Sequence, residues 1–267
     1  MKKNKTIGLA LGSGGFRGFA HIGVIKSLEK HGIKIDYLSG ASVGAWVAAS
    51  YAIYKDSNKL ENDLTNKPRD NWSMLFDLSW APGIIDGKKF SLFLKKNLEN
   101  KKFTDVKIPL KIVATDLVTG CEHIFEDGDI AQAVRASTSI PLVFKPMLFN
   151  DELLVDGGLC NPVPCDIAKK MGADIVIGVN LYSKNEFIKK KLNVANIVSR
   201  SGTIGMYYLA QAATREADVA IEMDISKYTE QSSLAQYFTK EIGDEIIKIG
   251  EETTDKFIPQ IRALLDK

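Results

Sequence analysis

The chain has 267 residues, 45% of them hydrophobic and 25% charged, enough apolar material to bury a substantial core. Lysine and arginine total 35 against 33 acidic residues, and the net charge of +2 supplies no electrostatic footprint for nucleic acid. No run of about 18 apolar residues is present to cross a membrane. Cys121, Cys160 and Cys165 lack further ligands at metal spacing and read as packing thiols of a reducing compartment.

The N-terminus, MKKNKTIGLALGSGGFRGFAHIGVI, starts basic and turns apolar in the manner of a secretory leader. Gly12 to Gly15 and Arg17 interrupt the apolar part, so residues 6–11 read instead as a buried strand entering a glycine loop. Residues 18–31 carry a helical pattern with Ile22, Ile25 and Leu28 on one face and Gly32 beyond its end. Residues 35–38 make a second short strand, followed by SGASVGAW at 39–46 and an alanine-rich helix. Residues 57–104 suggest short helices around Trp72, Phe76, Trp80 and Phe90, an aromatic set that is by default core and could otherwise line a pocket or form a lid.

Residues 110–125 read as two strands around a Thr119-Gly120 turn, and Asp129 is placed to cap the helix IAQAVRAS. Residues 144–155 alternate around an Asn150-Asp151 turn and run into Asp156-Gly157-Gly158. A helix over 164–171, a buried strand over 174–179, a long helix over 194–217 and a strand over 219–223 follow. The tail over 233–265 is helical, with an interruption expected near Gly250. Strands alternating with helices predict a mostly parallel sheet covered on both faces, in one domain over 1–267, with ligands bound beyond the carboxyl ends of the strands. The basic stretches at 97–103 and 188–191 read as solvated faces, either of which could meet anionic lipid.

Within 39–46 lies Gly40-Ala41-Ser42-Val43-Gly44, a serine between two glycines, preceded by a strand and followed by a helix. That is the context of a nucleophile elbow, where a sharp turn exposes the hydroxyl and small neighbours let strand and helix approach. A bland alternative makes Ser42 a helix N-cap. The loop Gly12-Ser13-Gly14-Gly15-Phe16-Arg17-Gly18 puts Arg17 where a dinucleotide fingerprint starting at Gly12 needs glycine. Asp36 lies near the spacing of a ribose-binding acid, which keeps a nucleotide reading open. The stronger reading is an oxyanion hole, with main-chain N–H groups presented at a helix N-terminus. For a base, the residue order of hydrolase triads is met only by His123 with an acid such as Asp105 or Asp116 before it. His21 and His31 read as structural. Taken alone, Asp156 in its Asp-Gly-Gly setting is an ordinary turn residue.

Five stretches in this order resemble the patatin-like phospholipase family: SGGFRG after the first strand, HIGVIKSLEKHGI in the first helix, GASVG at the elbow, RASTSIP at 135–141 and LVDGGLCNPVP at 154–164. The likeness spans roughly residues 6–225, and the short chain resembles the compact bacterial members. It implies a three-layer α/β/α sandwich that hydrolyses acyl esters, often of phospholipids, through a Ser-Asp dyad without histidine. It implies Ser42 as nucleophile, Asp156 as base, and the backbone of Ser13, Gly14 and Gly15 as oxyanion hole with Arg17 beside it. Ser13 stands where many members have glycine. No metal or organic cofactor is implied. The expected partners are a lipid or acyl-ester substrate and a membrane surface touched transiently from the cytoplasm, and nucleic acid is not among them. A non-catalytic lipid- or acyl-binding regulator that keeps the fold is the alternative.

Overall fold

The structure is a computed structural model that describes residues 5–65, 86–187, 194–229 and 240–267. Trp72, Phe76 and Trp80 lie outside the described residues, as does the basic stretch 188–191.

Strand and helix alternate as the hydrophobic periods predict. β1 (Ile7–Leu11) leads through a 3₁₀ turn at Gly15–Gly18 into α1 (Phe19–Lys30), and β2 (Tyr37–Ala41) leads into α2 (Val43–Tyr54) and α3 (Ser57–Thr65). After α4 (Lys88–Asn97) come β3 (Leu110–Asp116), β4 (Glu122–Phe125) and α5 (Ile130–Ser137). β5 (Met147–Phe149) and β6 (Glu152–Asp156) form a hairpin whose turn residues, Asn150 and Asp151, both take positive φ, at 46° and 67°. The remaining elements are α6 (Cys165–Lys170), β7 (Ile175–Asn180), α7 (Val194–Ala213), β8 (Val219–Glu222), the short α8 (Ser226–Thr229), α9 (Lys240–Asp255) and α10 (Ile258–Asp266).

β3, β2, β1, β7 and β8 pair in that order, all parallel, while β4, β5 and β6 add antiparallel pairings beside β3. Period-two alternation sends side chains to both faces. Ile7, Leu9 and Leu11 of β1 join a large core with α1, α2, α5 and α9, whereas Ala10 joins a smaller core with Cys165 and Ala168 of α6 and Ala210 of α7. The sandwich is therefore α/β/α. Asp129 caps α5 as expected, its carboxylate accepting from the Gln132 N–H at 3.1 Å.

The tail departs from the sequence reading at Gly250. The helix is unbroken there and ends at Asp255. The missing side chain serves a close crossing instead, since a Cβ on Gly250 would stand 2.1 Å from the Ala20 carbonyl of α1. No helix among the described residues is long and apolar enough to cross a membrane.

Candidate active site

The parallel strands β1 and β2 deliver their following loops to one edge of the sheet, and the antiparallel β6 ends where Asp156 pairs with Ala114 in β3. Ser42 joins β2 to α2 with φ 55° and ψ −127°, a conformation costing an L-residue about 1–3 kcal/mol. Close packing holds the turn. A Cβ on Gly44 would fall 2.1 Å from the Leu11 carbonyl, so only glycine lets α2 begin this near β1. The Ser42 N–H, which the turn leaves without a helical partner, donates to Ser137 Oγ at 2.8 Å.

Ser42 Oγ donates to Asp156 Oδ2 at 2.6 Å, with both residues buried. The second carboxylate oxygen, Oδ1, accepts from the Gly158 N–H at 2.8 Å. The Asp156 main chain is also fixed: its N–H donates to the Ser139 carbonyl and its carbonyl accepts from Thr115 Oγ1. Burial pushes the Asp156 carboxyl up to about 6, partly offset by the Ser42 and Gly158 donors. An aspartate so tuned is a stronger proton acceptor near neutrality than one at its ordinary value of about 3.9.

Segment 135–139 ties the two together. Ser137 holds the main chain of Ser42, Ser139 holds the main chain of Asp156, and the buried Arg135 donates to Ser139 Oγ at 2.6 Å while its guanidinium lies over the Phe144 ring. Sequence reasoning gave Ser137 and Ser139 no role, because a serine holding a distant backbone looks like any other helix-end serine.

In the glycine loop, the Gly12–Ser13 peptide is bound on both sides. Gly12 O accepts from His21 Nε2 at 2.8 Å, and the Ser13 N–H donates to the Pro162 carbonyl at 2.8 Å. The Ser13 amide is thus already used, and the donor set expected from the sequence narrows to Gly14 and Gly15. Neither of those N–H groups has a hydrogen-bond partner among the described residues, and both glycines line the same pocket as Ser42. Arg17 Nη1 donates to Gly14 O at 3.2 Å, and the Arg17 N–H reaches the same oxygen. Peptide planarity then turns the Gly15 N–H away from Arg17.

The pocket measures about 500 Å³ and is walled by apolar side chains including Ile22, Val43, Trp46, Phe90, Ile140 and Phe144. Phe90 therefore belongs both to the core and to the pocket wall, with Trp46 edge-on at 5.9 Å and Phe144 stacked at 5.3 Å. His123 is elsewhere: it pairs with Ala114 across the edge of β3 opposite to Asp156, two strand spacings or about 10 Å from it along the sheet. His123 Nδ1 bonds Glu152 at 2.5 Å, and Asp116 accepts from Thr119 and Val118. His21 is buried without charge, its pKa lowered to about 4 by desolvation despite its bond to Gly12.

Comparison with known proteins bears on the same residues. The family model described as "Patatin-like phospholipase" matches residues 9–169, which contain the glycine loop, Ser42 and Asp156. The chain belongs to the patatin-like phospholipase family. Human patatin-like phospholipase domain-containing protein 6 is 32% identical over 187 residues, covering 68% of this chain and 14% of that protein. Lysophospholipase NTE1 of Candida albicans is 32% identical over 191 residues, with the same coverages. This chain thus spans only about one-seventh of the length of these curated relatives. The solved structure of VipD from Legionella pneumophila superposes with a TM-score of 0.56 at 14% identity, over 99% of this chain and 67% of that one, a likeness of fold.

Proposed function

We propose that this chain is a serine acyl-ester hydrolase acting on lipids, of the phospholipase A, lysophospholipase or carboxylesterase type. The observation that carries the reading is the buried 2.6 Å hydrogen bond from Ser42 Oγ to Asp156 Oδ2 beside an apolar pocket. As Ser42 Oγ attacks the ester carbonyl carbon, its proton passes to Asp156 Oδ2. The carbonyl oxygen becomes an oxyanion held by the N–H groups of Gly14 and Gly15. Such a donor is typically worth about 2.7–4 kcal/mol in the transition state. Collapse of the tetrahedral species breaks the bond to the alcohol, which takes the proton back from Asp156 and leaves an acyl-Ser42. Water, deprotonated by the same carboxylate, then attacks the acyl carbon and regenerates Ser42. The apolar pocket holds the acyl chain.

A fluorophosphonate probe tests this reading. Covalent labelling of the wild type that disappears in Ser42→Ala is expected, whereas absence of labelling in folded wild-type protein points to a lipid-binding regulator. We place the protein in the cytoplasm, in contact with lipid only at a surface. Recovery in a salt-resistant membrane fraction contradicts that placement.

A further inference from the structure

The side chains that line the pocket beside Ser42 sort by element. Apart from the Trp46 indole, the polar ones among the described residues are Arg17, Ser42, Thr138, Tyr182 and Thr203. They come from the glycine loop, the elbow, the end of α5, the segment after β7, and α7. Helices α1, α2, α3 and α4 contribute Phe19, Ile22, Val43, Val47, Leu64 and Phe90, all apolar. Burial follows the same division. Gly15 is exposed and Arg17, Val143 and Met206 are half-buried, whereas Ile22, Val47 and Leu64 are 0%, 2% and 6% exposed. The pocket thus has an open mouth that carries its polar groups and a closed floor that is hydrocarbon.

Helical spacing gives that floor a direction. Val43 and Val47, four residues apart, share one face of α2, and Phe19 and Ile22, three apart, share one face of α1. Both faces line the pocket, so the cavity runs between the two helices and away from the elbow. Leu64 also lines it, from α3, a helix packed against both α1 and α2.

We propose that the acyl chain runs down this cleft between α1 and α2, and that Val47, Ile22 and Leu64 set the longest chain the site accepts. The inference rests on the ester-hydrolase reading of Ser42 and supplies what that reading leaves open, namely which residues choose among acyl groups. Val47 follows Ser42 by five residues, about 7 Å of helix rise. An extended chain advances about 1.2 Å per bond. Roughly six carbons of an acyl group therefore bring it level with Val47, and longer chains continue toward Ile22 and Leu64. A charge on the tail would be desolvated there without a counter-charge, so the favoured class is the plain hydrocarbon acyl group, with the alcohol part of the ester left at the polar mouth.

The test is isothermal titration calorimetry of the full chain carrying Ser42→Ala with straight-chain fatty acids from butyrate to myristate, each below its micelle concentration. Binding is thus read without turnover. Affinity is expected to rise about fourfold per added methylene and to level off once the floor is reached. Val47→Phe in the same background is expected to move that plateau to shorter acids, near hexanoate, and to weaken myristate by about tenfold or more. Leu64→Ala, which opens the floor, is expected to move the plateau to longer acids. With Ser42 intact, Val47→Phe should lower the ratio of kcat/KM for p-nitrophenyl myristate to that for the butyrate ester by about tenfold or more. If Val47→Phe loses its melting transition, Val47→Met replaces it, with a smaller shift in the same direction. Absence of fatty-acid binding by the folded chain, affinity independent of chain length, or a plateau unmoved in folded Val47 and Leu64 variants overturns the proposal. So does a uniform loss at every chain length, which marks these side chains as packing alone. A plateau that shifts as expected in a chain that hydrolyses no ester upholds the floor assignment and removes the hydrolase reading instead.

Discussion

The hydroxyl of Ser137 accepts the main-chain N–H of Ser42 at 2.8 Å, so the residue at the elbow is held through its backbone by the end of α5. Ser137→Ala strands a buried N–H, at a cost of about 1–3 kcal/mol, and frees a turn already strained at φ 55°. We expect that loss of stability together with a fall in kcat of about tenfold at little-changed KM, since the position of Ser42, the proposed nucleophile, suffers more than the pocket. Chemical denaturation and steady-state kinetics on one preparation check both. Ser42→Gly, which relieves the strain, is expected to exceed Ser42→Ala in stability by about 1–2 kcal/mol.

Asp156 and His21 impose opposite pH dependences on folding. The Asp156 pKa is raised to about 6 in the fold, so folding binds a proton above the unfolded value, and stability falls as pH rises from about 4 to 6. The His21 pKa is lowered to about 4, so the unfolded state binds the proton, and stability falls as pH drops from about 6.5 to 4. Each amounts to about 3 kcal/mol over nearly the same window, and they largely cancel. Wild-type stability should be flat there as far as these two groups decide it. Asp156→Asn should expose the acid loss due to His21, and His21→Gln the gain due to Asp156. Denaturation curves at pH 4, 5, 6 and 7 separate the contributions, and unchanged slopes in both variants refute the assignment.

His21 also bears on the glycine loop through its bond to Gly12 O. Glutamine can place an N–H near the same point, whereas leucine cannot. His21→Leu is expected to lower kcat by about tenfold or more, with KM within about twofold, and His21→Gln to recover most of the loss. Equal damage by both variants in folded protein argues for packing alone.

At Gly15, φ is +59° and an added Cβ would meet open space, so Gly15→Ala tests conformation without a clash. At Gly14 an added Cβ would stand 2.8 Å from Leu181. Both substitutions displace N–H groups assigned to the oxyanion, and each should cost about 10²–10³ in kcat. Ser13→Gly should cost far less, because the Ser13 amide is spent on Pro162 and its hydroxyl only approaches Tyr182 at 3.3 Å. Comparable losses at all three positions exclude this division of roles.

The layered fold was legible because its signals are local and periodic. The apolar run of residues 6–11, the capping Asp129 and the Asn150-Asp151 turn each act within a few residues of chain, and all three appear as read. The elbow was legible for the same reason. Asp156 was not: its own neighbourhood reads as a turn, and only the pairing of β6 with β3 carries it to Ser42, 114 residues away in sequence. Resemblance to a family supplied that link. Gly250 misled because a glycine needed for helix crossing carries the same letter as one that ends a helix, and the Ser13 amide was lost to Pro162, a partner 149 residues distant that loop composition cannot reveal.

The pairing of Ser42 with Asp156 is the centre of the account, and a pH profile cannot decide it, because an aspartate near 6 gives an acid limb close to that of an ordinary histidine at about 6.5. The decisive measurement is kcat of Asp156→Asn beside kcat of His123→Gln, on one short-chain ester, with both variants shown to be folded. Asp156→Asn keeps the shape but cannot take the proton, and a fall of about 10²–10⁴ is expected, with His123→Gln within about twofold of wild type. Collapse of His123→Gln while Asp156→Asn retains its turnover would contradict the dyad and the mechanism built on it.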